Sequence, residues 1–347
     1  MLRRMQDFLG RMHPVRAPEY KSVFRQYLEM LWLALRYRLS PIEYYLYRLG
    51  RKDASLASLS DYIISAEAAK RIRPRLNPRM WEVVLRNKVL FNSHMRAQGL
   101  PVAKLYGVFH PGFGYTAEGG NLRNIDELAA LLQEFGRLVL KPLDGLKGQG
   151  VFILDAAEGD KLSTAQAAAL NQGNGWIVEQ HLRNEPVLAR FNPDTLNTCR
   201  VVTFLDNQGD SSILFAVARF GRRKQQVDSM STGAVSVHID VETGALGQGV
   251  MYPQFGGWCE RHPDSGLEFA GTVIPQWTEL LDVVRRAARS LPWCPAIGWD
   301  VAVTTEGPVL VEGNGQWNVM TGQAFTGGLL TGTLRQELNH LGVGKGA

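Results

Sequence analysis

The spacing of apolar positions predicts a chain that begins with helices and continues mainly in strands. Residues 20–35 place apolar side chains at helical spacing, which predicts one broad helix face that packs on the body of the protein. That face comprises Tyr20, Val23, Phe24, Tyr27, Leu28, Leu31, Trp32 and Leu35. A second helix is predicted over residues 40–50, with Ser40 as N-cap, Pro41 in the first turn and Gly50 as the stop.

From about residue 101, short apolar segments separated by Gly, Asn or Asp turns predict strands. Strands are expected at 102–109, 138–142, 176–182, 197–206, 211–220, 234–240, 245–251, 297–303 and 308–313. Helices are expected at 81–98, 124–135, 160–171 and 277–291. The order of elements predicts an α+β fold with mainly antiparallel sheets.

The segment 297–314, IGWDVAVTTEGPVLVEGN, predicts a hairpin with acids facing each other. A turn centred on Glu306 would set Asp300 opposite Glu312, with Asn314 on the same face. Like charges at that separation weaken a sheet, and a bound Mg²⁺ would remove the penalty. The alternative is a solvated hairpin with unrelated acids, although apolar residues crowd both of them. The alternation predicts a shared apolar face of Val301, Val303, Val309 and Val311.

A glycine-rich loop follows an apolar strand in LVLKPLDGLKGQGVFIL, residues 138–154. Gly145, Gly148 and Gly150 would let backbone N–H groups approach a phosphate closely. Lys141 ends the strand and Lys147 lies within the loop. This is not a Walker loop, because a strand rather than a helix follows it. The alternative is an ordinary glycine hairpin with a snorkelling lysine.

Arg200 lies on an apolar strand, on one face with Val202 and Phe204, where an unpaired guanidinium is costly. A phosphate or carboxylate ligand would resolve that cost, and so would an ion pair with Asp194 or Glu185. Further basic residues after the next strand predict either a solvated loop or a substrate-anion site. They are Arg219, Arg222, Arg223 and Lys224.

The net charge of +5 over 347 residues is concentrated at the N-terminus. Residues 1–52 hold 11 Lys/Arg and 4 Asp/Glu, a net charge of +7. Contact of this segment with an anionic membrane is the second interpretation of its helices, and no nucleic-acid partner is expected. The widely spaced Cys199, Cys259 and Cys294 argue against disulfides and favour a cytoplasmic location.

Together these motifs resemble the sugar-transfer-associated branch of the ATP-grasp superfamily over roughly residues 35–325. The resemblance includes NPDTLNTCRVVTF (192–204), VDSMSTGAVSVHIDVETGAL (227–246), HPDSGLEFAGTVIPQW (262–277) and the distal hairpin. It implies a helical segment at 1–80, a first ATP-grasp part at 81–182 with a flap at about 138–182, and a second part at 183–347.

The resemblance also implies residue roles toward ATP and two Mg²⁺ ions. Lys88 and Lys141 would bind phosphates, and the loop with Gly145, Lys147, Gly148 and Gly150 would cover them. The strand 176–182 would contact adenine, with Glu179 at its acidic position and Glu185 toward the ribose. Asp300, Glu312 and Asn314 would hold the metal, while Arg200 and Lys141 would act on the transferred phosphoryl group.

The function implied is an ATP-dependent carboxylate–amine ligase that forms an amide through an acyl phosphate. A setting in polysaccharide, glycoconjugate or peptide-like biosynthesis is implied by the branch. Two alternatives remain open, a small-molecule kinase and an inactive nucleotide-binding scaffold at a membrane.

Overall fold

The protein contains two antiparallel sheets with helices before, between and after them. The computed structural model describes residues 9–65, 71–143, 150–158, 167–170, 174–222 and 230–341. The named helices of this part are α1 (Val23–Tyr37), α2 (Pro41–Leu46), α3 (Arg73–Leu76), α4 (Val83–Arg86), α5 (Lys88–Ala97), α6 (Ile125–Phe135), α7 (Pro186–Ala189), α8 (Trp277–Arg289), α9 (Val319–Thr326) and α10 (Gly332–His340).

The strands divide between a five-stranded and a seven-stranded sheet. The first sheet has the order β2-β1-β5-β3-β4 and contains β1 (Leu105–Phe109), β2 (Tyr115–Thr116), β3 (Arg137–Pro142), β4 (Phe152–Asp155) and β5 (Trp176–Gln180). The second has the order β10-β9-β8-β7-β6-β11-β12 and contains β6 (Thr198–Leu205), β7 (Ser211–Phe220), β8 (Val235–Ile239), β9 (Leu246–Val250), β10 (Trp258–Cys259), β11 (Ala296–Thr304) and β12 (Gly307–Asn314). All strand pairs are antiparallel, so the predicted fold class is confirmed.

Each sheet buries one face against a helix that the apolar spacing predicts. In the five-stranded sheet, Leu138 and Leu140 pack with Leu128 and Leu132 of α6. In the larger sheet, α8 contributes Leu280, Leu281, Val284, Ala287 and Ala288 to the main core, as predicted. Because side chains alternate along a strand, burial of one face leaves the opposite face of these strands to line a cavity.

The β11–β12 hairpin has the predicted opposition of acids but a different apolar face. Asp300 pairs with Glu312, and the next pair is Val301 with Leu310, so Val311 is an extra residue on β12. Leu310 therefore joins Val301 in the main core, and the predicted placement of Val309 and Val311 on that face is wrong.

Two predicted helices, at 81–98 and 160–171, differ from the structure or are described only in part. The helix predicted at 81–98 is interrupted at Asn87, which ends α4 and caps α5. Its side chain accepts hydrogen bonds from the backbone N–H groups of Val89 and Leu90, at 3.0 and 3.1 Å. A capping asparagine competes with continuous helix, and here it places Lys88 at the start of α5. Of the helix predicted at 160–171, residues 167–170 are helical and the rest lies outside the described residues.

The N-terminal helices pack on the large sheet, but through a different face of α1 from the predicted one. The buried positions of α1 are Gln26, Met30 and Leu33. Gln26 is fully satisfied, because its amide bonds to the backbone of Val15 and Lys21 at 2.7 to 2.9 Å. The predicted apolar face is turned outward, and its exposed members are Phe24, Tyr27, Leu28, Leu31, Trp32 and Leu35.

The second N-terminal helix is shorter than predicted. Ser40 and Glu43 form a reciprocal capping box and Pro41 lies in the first turn, as expected. The helix ends at Leu46 rather than at Gly50, since Arg48 adopts a left-handed backbone conformation with φ of 52°. The three cysteines are unpaired. Within the described residues, no helix is long and apolar enough to cross a membrane.

Candidate active site

A cavity of about 680 Å³ lies between the two sheets and collects most of those predicted site residues that the structure describes. Both sheets contribute, the small one through β3 and the residues after β5, the large one through β6, β7, β11 and β12. The predicted residues that line it are Lys88, Lys141, Arg200, Asp300, Glu312 and Asn314. Arg219 lines it as well. It is one of the basic residues, at the end of β7 and beyond, for which the sequence left two interpretations, a solvated loop or a substrate-anion site, and which are called the undecided basic group.

Four adjacent strands align the charged residues at the large-sheet wall. Asp300 pairs in register with Arg200 on one side and with Glu312 on the other. Thr198, two residues before Arg200, pairs with Arg219 on β7. Strand registry alone therefore brings two guanidiniums and two carboxylates onto one patch of the cavity wall.

Asp300 is the centre of this patch. Its side chain is 2% exposed and accepts hydrogen bonds from both arginines. Arg200 binds it in bidentate fashion, through Nε to Oδ1 and through Nη2 to Oδ2 at 2.8 Å. Arg219 donates from Nη2 to the same Oδ2 at 3.1 Å and from Nε to Thr198 Oγ1 at 3.2 Å. The sequence correctly predicted that Arg200 needs an anionic partner, but that partner is neither Asp194 nor Glu185.

The two opposed carboxylates have pKa values that move in opposite directions. Burial would raise the pKa of Asp300, but the positive charges of Arg200 and Arg219 outweigh it and hold that pKa below its usual range. Burial, followed by the charge of Asp300 and a hydrogen bond to it, raises the pKa of Glu312 well above its ordinary value of 4.5. At a pH at which two isolated carboxyl groups would both be ionised, the pair therefore retains one proton, as expected of neighbouring acids that repel each other.

The residue types at this wall fit Mg²⁺. The cation prefers oxygen ligands and usually takes one or two carboxylates together with the phosphates of a substrate. Asp300 and Glu312 supply carboxylates, and the amide oxygen of Asn314 already accepts a hydrogen bond from the Gln316 backbone at 3.0 Å. Among the described residues, no group of three or more His, Cys, Asp or Glu side chains could hold a metal alone. Two carboxylates and an amide oxygen would leave further positions on Mg²⁺ for water or for the phosphates of a substrate.

The small-sheet wall carries the lysines. Lys141 Nζ forms an ion pair with Glu179 Oε2 at 2.8 Å. Glu179 also accepts a hydrogen bond from Asn92 Nδ2 at 3.2 Å, and Asn92 in turn binds the Ala103 carbonyl at 2.8 Å. The buried Glu179 therefore positions the Lys141 ammonium at the cavity wall. Asn92 had no role in the sequence argument, because a lone asparagine on a helix carries no motif.

The strand β5 leads into the expected adenine-binding hinge. Gln180, His181, Leu182 and Arg183 line the cavity directly after Glu179. His181 was given no role from sequence. Its Nδ1 is buried without a hydrogen-bond partner in the structure, and burial lowers the pKa of the imidazole. A neutral imidazole in the hinge can exchange hydrogen bonds with an uncharged heterocycle.

Several predicted residues lie elsewhere or outside the description. Gly145, Lys147 and Gly148 fall within 144–149, outside the described residues, as do Arg223 and Lys224. Gly150 is described, and its φ of 77° is in the region that favours glycine. Glu185 is not among the described residues that line the cavity. Its carboxylate accepts a hydrogen bond from the Val187 backbone at 2.7 Å as the cap of α7.

Of the undecided basic group, Arg222 also has a structural partner. Its guanidinium binds Asp264 through two hydrogen bonds of 2.8 Å. Of the two members of that group that the structure describes, Arg219 is the one that the fold brings to the acid pair.

One cleft thus brings together the Lys141–Glu179 ion pair, the opposed Asp300 and Glu312, and the residues that follow Glu179, which is the arrangement that the resemblance to ATP-grasp enzymes implied. The family described as sugar-transfer associated ATP-grasp matches residues 67–338. The chain belongs to that family, and the predicted family is confirmed. A comparison with curated protein sequences finds no match.

Solved structures with similar architecture include a carboxylase and two ligases. Biotin carboxylase from Campylobacter jejuni is 13% identical with a TM-score of 0.47, covering 83% of this chain and 53% of that one. The ATP-grasp ligase PsnB is 14% identical with a TM-score of 0.43, covering 78% and 61%. An L-amino acid ligase from Bacillus licheniformis is 13% identical with a TM-score of 0.38, covering 68% and 41%. The chain spans about half the length of these proteins, and similarities at this level carry no argument about substrates.

Proposed function

We propose that the protein is an ATP-dependent carboxylate–amine ligase that works through an acyl phosphate. The observation that carries this proposal is the pair of guanidiniums, Arg200 and Arg219, that converge on Asp300 beside Glu312. A reaction on a carboxylate develops negative charge on both the acyl group and the transferred phosphoryl group. Two arginines next to the metal ligands can neutralise that charge from one wall of the cavity.

The order of steps follows from which bonds can form in such a site. A carboxylate oxygen of the substrate attacks the γ-phosphorus of ATP, and the bond to the β–γ bridging oxygen breaks to release ADP. The amine nitrogen then attacks the acyl carbon, phosphate leaves, and the nitrogen loses a proton. Mg²⁺, when bound by Asp300, Glu312 and Asn314, would supply charge neutralisation at the phosphates.

The protein's own residues hold the reactants in this scheme. Lys141, positioned by Glu179, lies across the cavity from the acid pair and binds phosphate oxygens. Lys88, at the first position of α5, lines the same cavity and contributes a second positive charge. Arg200 and Arg219 bind the carboxylate and then the acyl phosphate, and the cavity walls limit the access of water.

The test is release of ADP from MgATP with panels of carboxylates and amines, added singly and together. Ligation predicts release that needs a carboxylate, rises with an amine, and yields an amide detected by mass spectrometry. Hydroxylamine in place of the amine should trap the acyl phosphate as a hydroxamate. Phosphorylation of a hydroxyl compound without any carboxylate would instead identify a kinase. Binding of MgATP without turnover across the panels would favour the inactive scaffold.

The cellular setting stays a prediction. A cytoplasmic location rests on the three unpaired cysteines. The description of the family as sugar-transfer associated is in line with a role in polysaccharide or glycoconjugate synthesis, while the contact of residues 1–52 with an anionic membrane has no support in the comparisons with known proteins.

A further inference from the structure

The N-terminal helix α1 exposes its more apolar face. Six large side chains on this face are between 41% and 78% exposed. They are Phe24, Tyr27, Leu28, Leu31, Trp32 and Leu35, and together they are called the outer face of α1. Soluble proteins seldom leave a contiguous group of this kind uncovered, and such a patch marks a surface for a partner or a membrane.

The inner face explains why the helix cannot turn to bury these side chains. Met30 and Leu33 pack into a cluster with Tyr44, Leu46 and Val250. Hydrogen bonds also hold this face in place. Besides those of Gln26, Glu29 accepts hydrogen bonds from Lys21 at 2.9 Å and from Tyr44 at 2.8 Å. A rotation of α1 would break this packing and leave these polar groups buried without partners. The outer face is therefore a fixed feature of the fold.

Positive charge borders the outer face along one edge and at one end. At 100° per residue, Arg25 and Arg36 lie along one edge of its arc, and Arg38 follows at the C-terminal end of the helix. All three arginines are exposed, as are Arg11 and Arg16 before the helix. Residues 9–52 contain nine Lys/Arg against three Asp/Glu.

The acidic residues of this segment do little to offset that charge at the surface. Glu29 is 12% exposed and paired with Lys21 and Arg25, and Glu43 is buried in its capping box. Glu19 is the exposed acid among the described residues up to position 52. The surface around the outer face is thus basic, which is complementary to an anionic layer.

We infer that the outer face of α1 docks on an anionic lipid surface, with the helix axis parallel to the bilayer plane. The helix has 15 residues and a length of about 22 Å, too short to span a bilayer but typical of interfacial helices. The amphipathic rings of Tyr27 and Trp32 are of the kind that prefers the boundary between acyl chains and headgroups, and arginines along the edge can bind lipid phosphates. A second protein surface would not need this basic border.

The test is co-sedimentation of the full-length protein with vesicles of phosphatidylcholine alone or mixed with phosphatidylglycerol, at low and high salt. We expect binding to the mixed vesicles that weakens with salt, because charges at the surface are screened. Leu28→Glu and Leu35→Glu should each lower the affinity by about tenfold or more, since a carboxylate would enter the apolar layer. The matched control is Val273→Glu, at a residue 52% exposed on another part of the protein, and it should bind as the wild type does.

Two further measurements separate the outcomes. Thermal melting should show that the Leu28 and Leu35 variants are folded, since both positions are solvent-exposed. Lipids brominated in the acyl chain should quench Trp32 fluorescence, and Trp32→Phe should remove that part of the quenching.

The inference is overturned by absence of binding to the mixed vesicles at low salt, or by equal binding to neutral vesicles. It is also overturned if folded Leu28→Glu and Leu35→Glu variants bind as well as the wild type. Self-association that these variants abolish, in a protein that ignores vesicles, would assign the outer face to a second copy of the chain instead.

Discussion

Replacement of Glu312 by Gln tests two properties of the acid pair at once, its binding of Mg²⁺ and the destabilisation that its two carboxylates cause. The change keeps the shape of the side chain and its place opposite Asp300 but removes the group that would carry a negative charge. Since Mg²⁺ prefers carboxylate ligands, Glu312→Gln should abolish Mg²⁺-dependent ATP turnover and weaken MgATP binding. The fold should be retained, because the amide can still donate a hydrogen bond to Asp300.

The magnitude of the stability effect follows from the repulsion between the two acids. Like charges directly opposite in a sheet cost about 0.2–1 kcal/mol. The entropy of unfolding is about 2.1 cal/mol/K per residue, so over 347 residues the removal of one charge should raise the melting temperature of the metal-free protein by roughly 0.3–1.4 °C.

The sign of the pH dependence is fixed by the raised pKa of Glu312. The folded state favours the protonated form of Glu312. The contribution of this group to the free energy of unfolding is therefore fully present below its ordinary pKa of 4.5 and is lost as pH rises through the raised pKa. The gain from Glu312→Gln should therefore grow with pH. Asp300 behaves in the opposite way, because its pKa is lowered. Its ionised form stabilises the fold above the ordinary pKa of 3.8, and that contribution is lost as pH falls through the lowered pKa.

The assay pairs ADP release and MgATP titration with thermal melting at several pH values. Glu306→Gln is the matched control, since Glu306 is an exposed acid in the turn of the same hairpin. It should leave turnover, MgATP affinity and melting temperature unchanged. Wild-type turnover in Glu312→Gln would refute the metal assignment, and a lower melting temperature at alkaline pH would refute the argument from repulsion.

Three further predictions concern the phosphate lysine, the second arginine and proton release. Lys141→Ala should lower turnover by about 10²-fold or more, while the exposed Lys104→Ala should not; equal kinetics for both would contradict the role of Lys141. Arg219→Met should raise the KM for the carboxylate by about 10-fold or more and change the Kd of MgATP by less than about 3-fold; a selective loss of MgATP affinity would place Arg219 with the metal instead. Mg²⁺ affinity should rise with pH in the wild type, because Glu312 must lose its proton, and calorimetry in buffers of different ionisation enthalpy should detect that release.

The sequence was sufficient for features that depend on neighbours along the chain. The spacing within residues 297–314 predicted a hairpin with Asp300 opposite Glu312, and the structure contains both features. The expectation that Arg200 needs an anionic partner followed from the cost of an unpaired guanidinium on an apolar strand. The α+β class and the position of α8 followed from periodicity in the same way.

The tertiary structure decided what depends on strand order and on which faces meet. Arg200 and Asp300 are 100 residues apart, and only the neighbouring places of β6 and β11 in the sheet join them. The turn consists of Thr305 and Glu306 instead of being centred on Glu306, and the extra residue at Val311 is what brings Glu312 opposite Asp300. The outward turn of the apolar face of α1 was equally hidden, because a hydrophobic pattern shows which side chains avoid water but not what covers them. In α1, buried hydrogen bonds of Gln26 and Glu29 fix the orientation, and their partners come together only when the chain is folded.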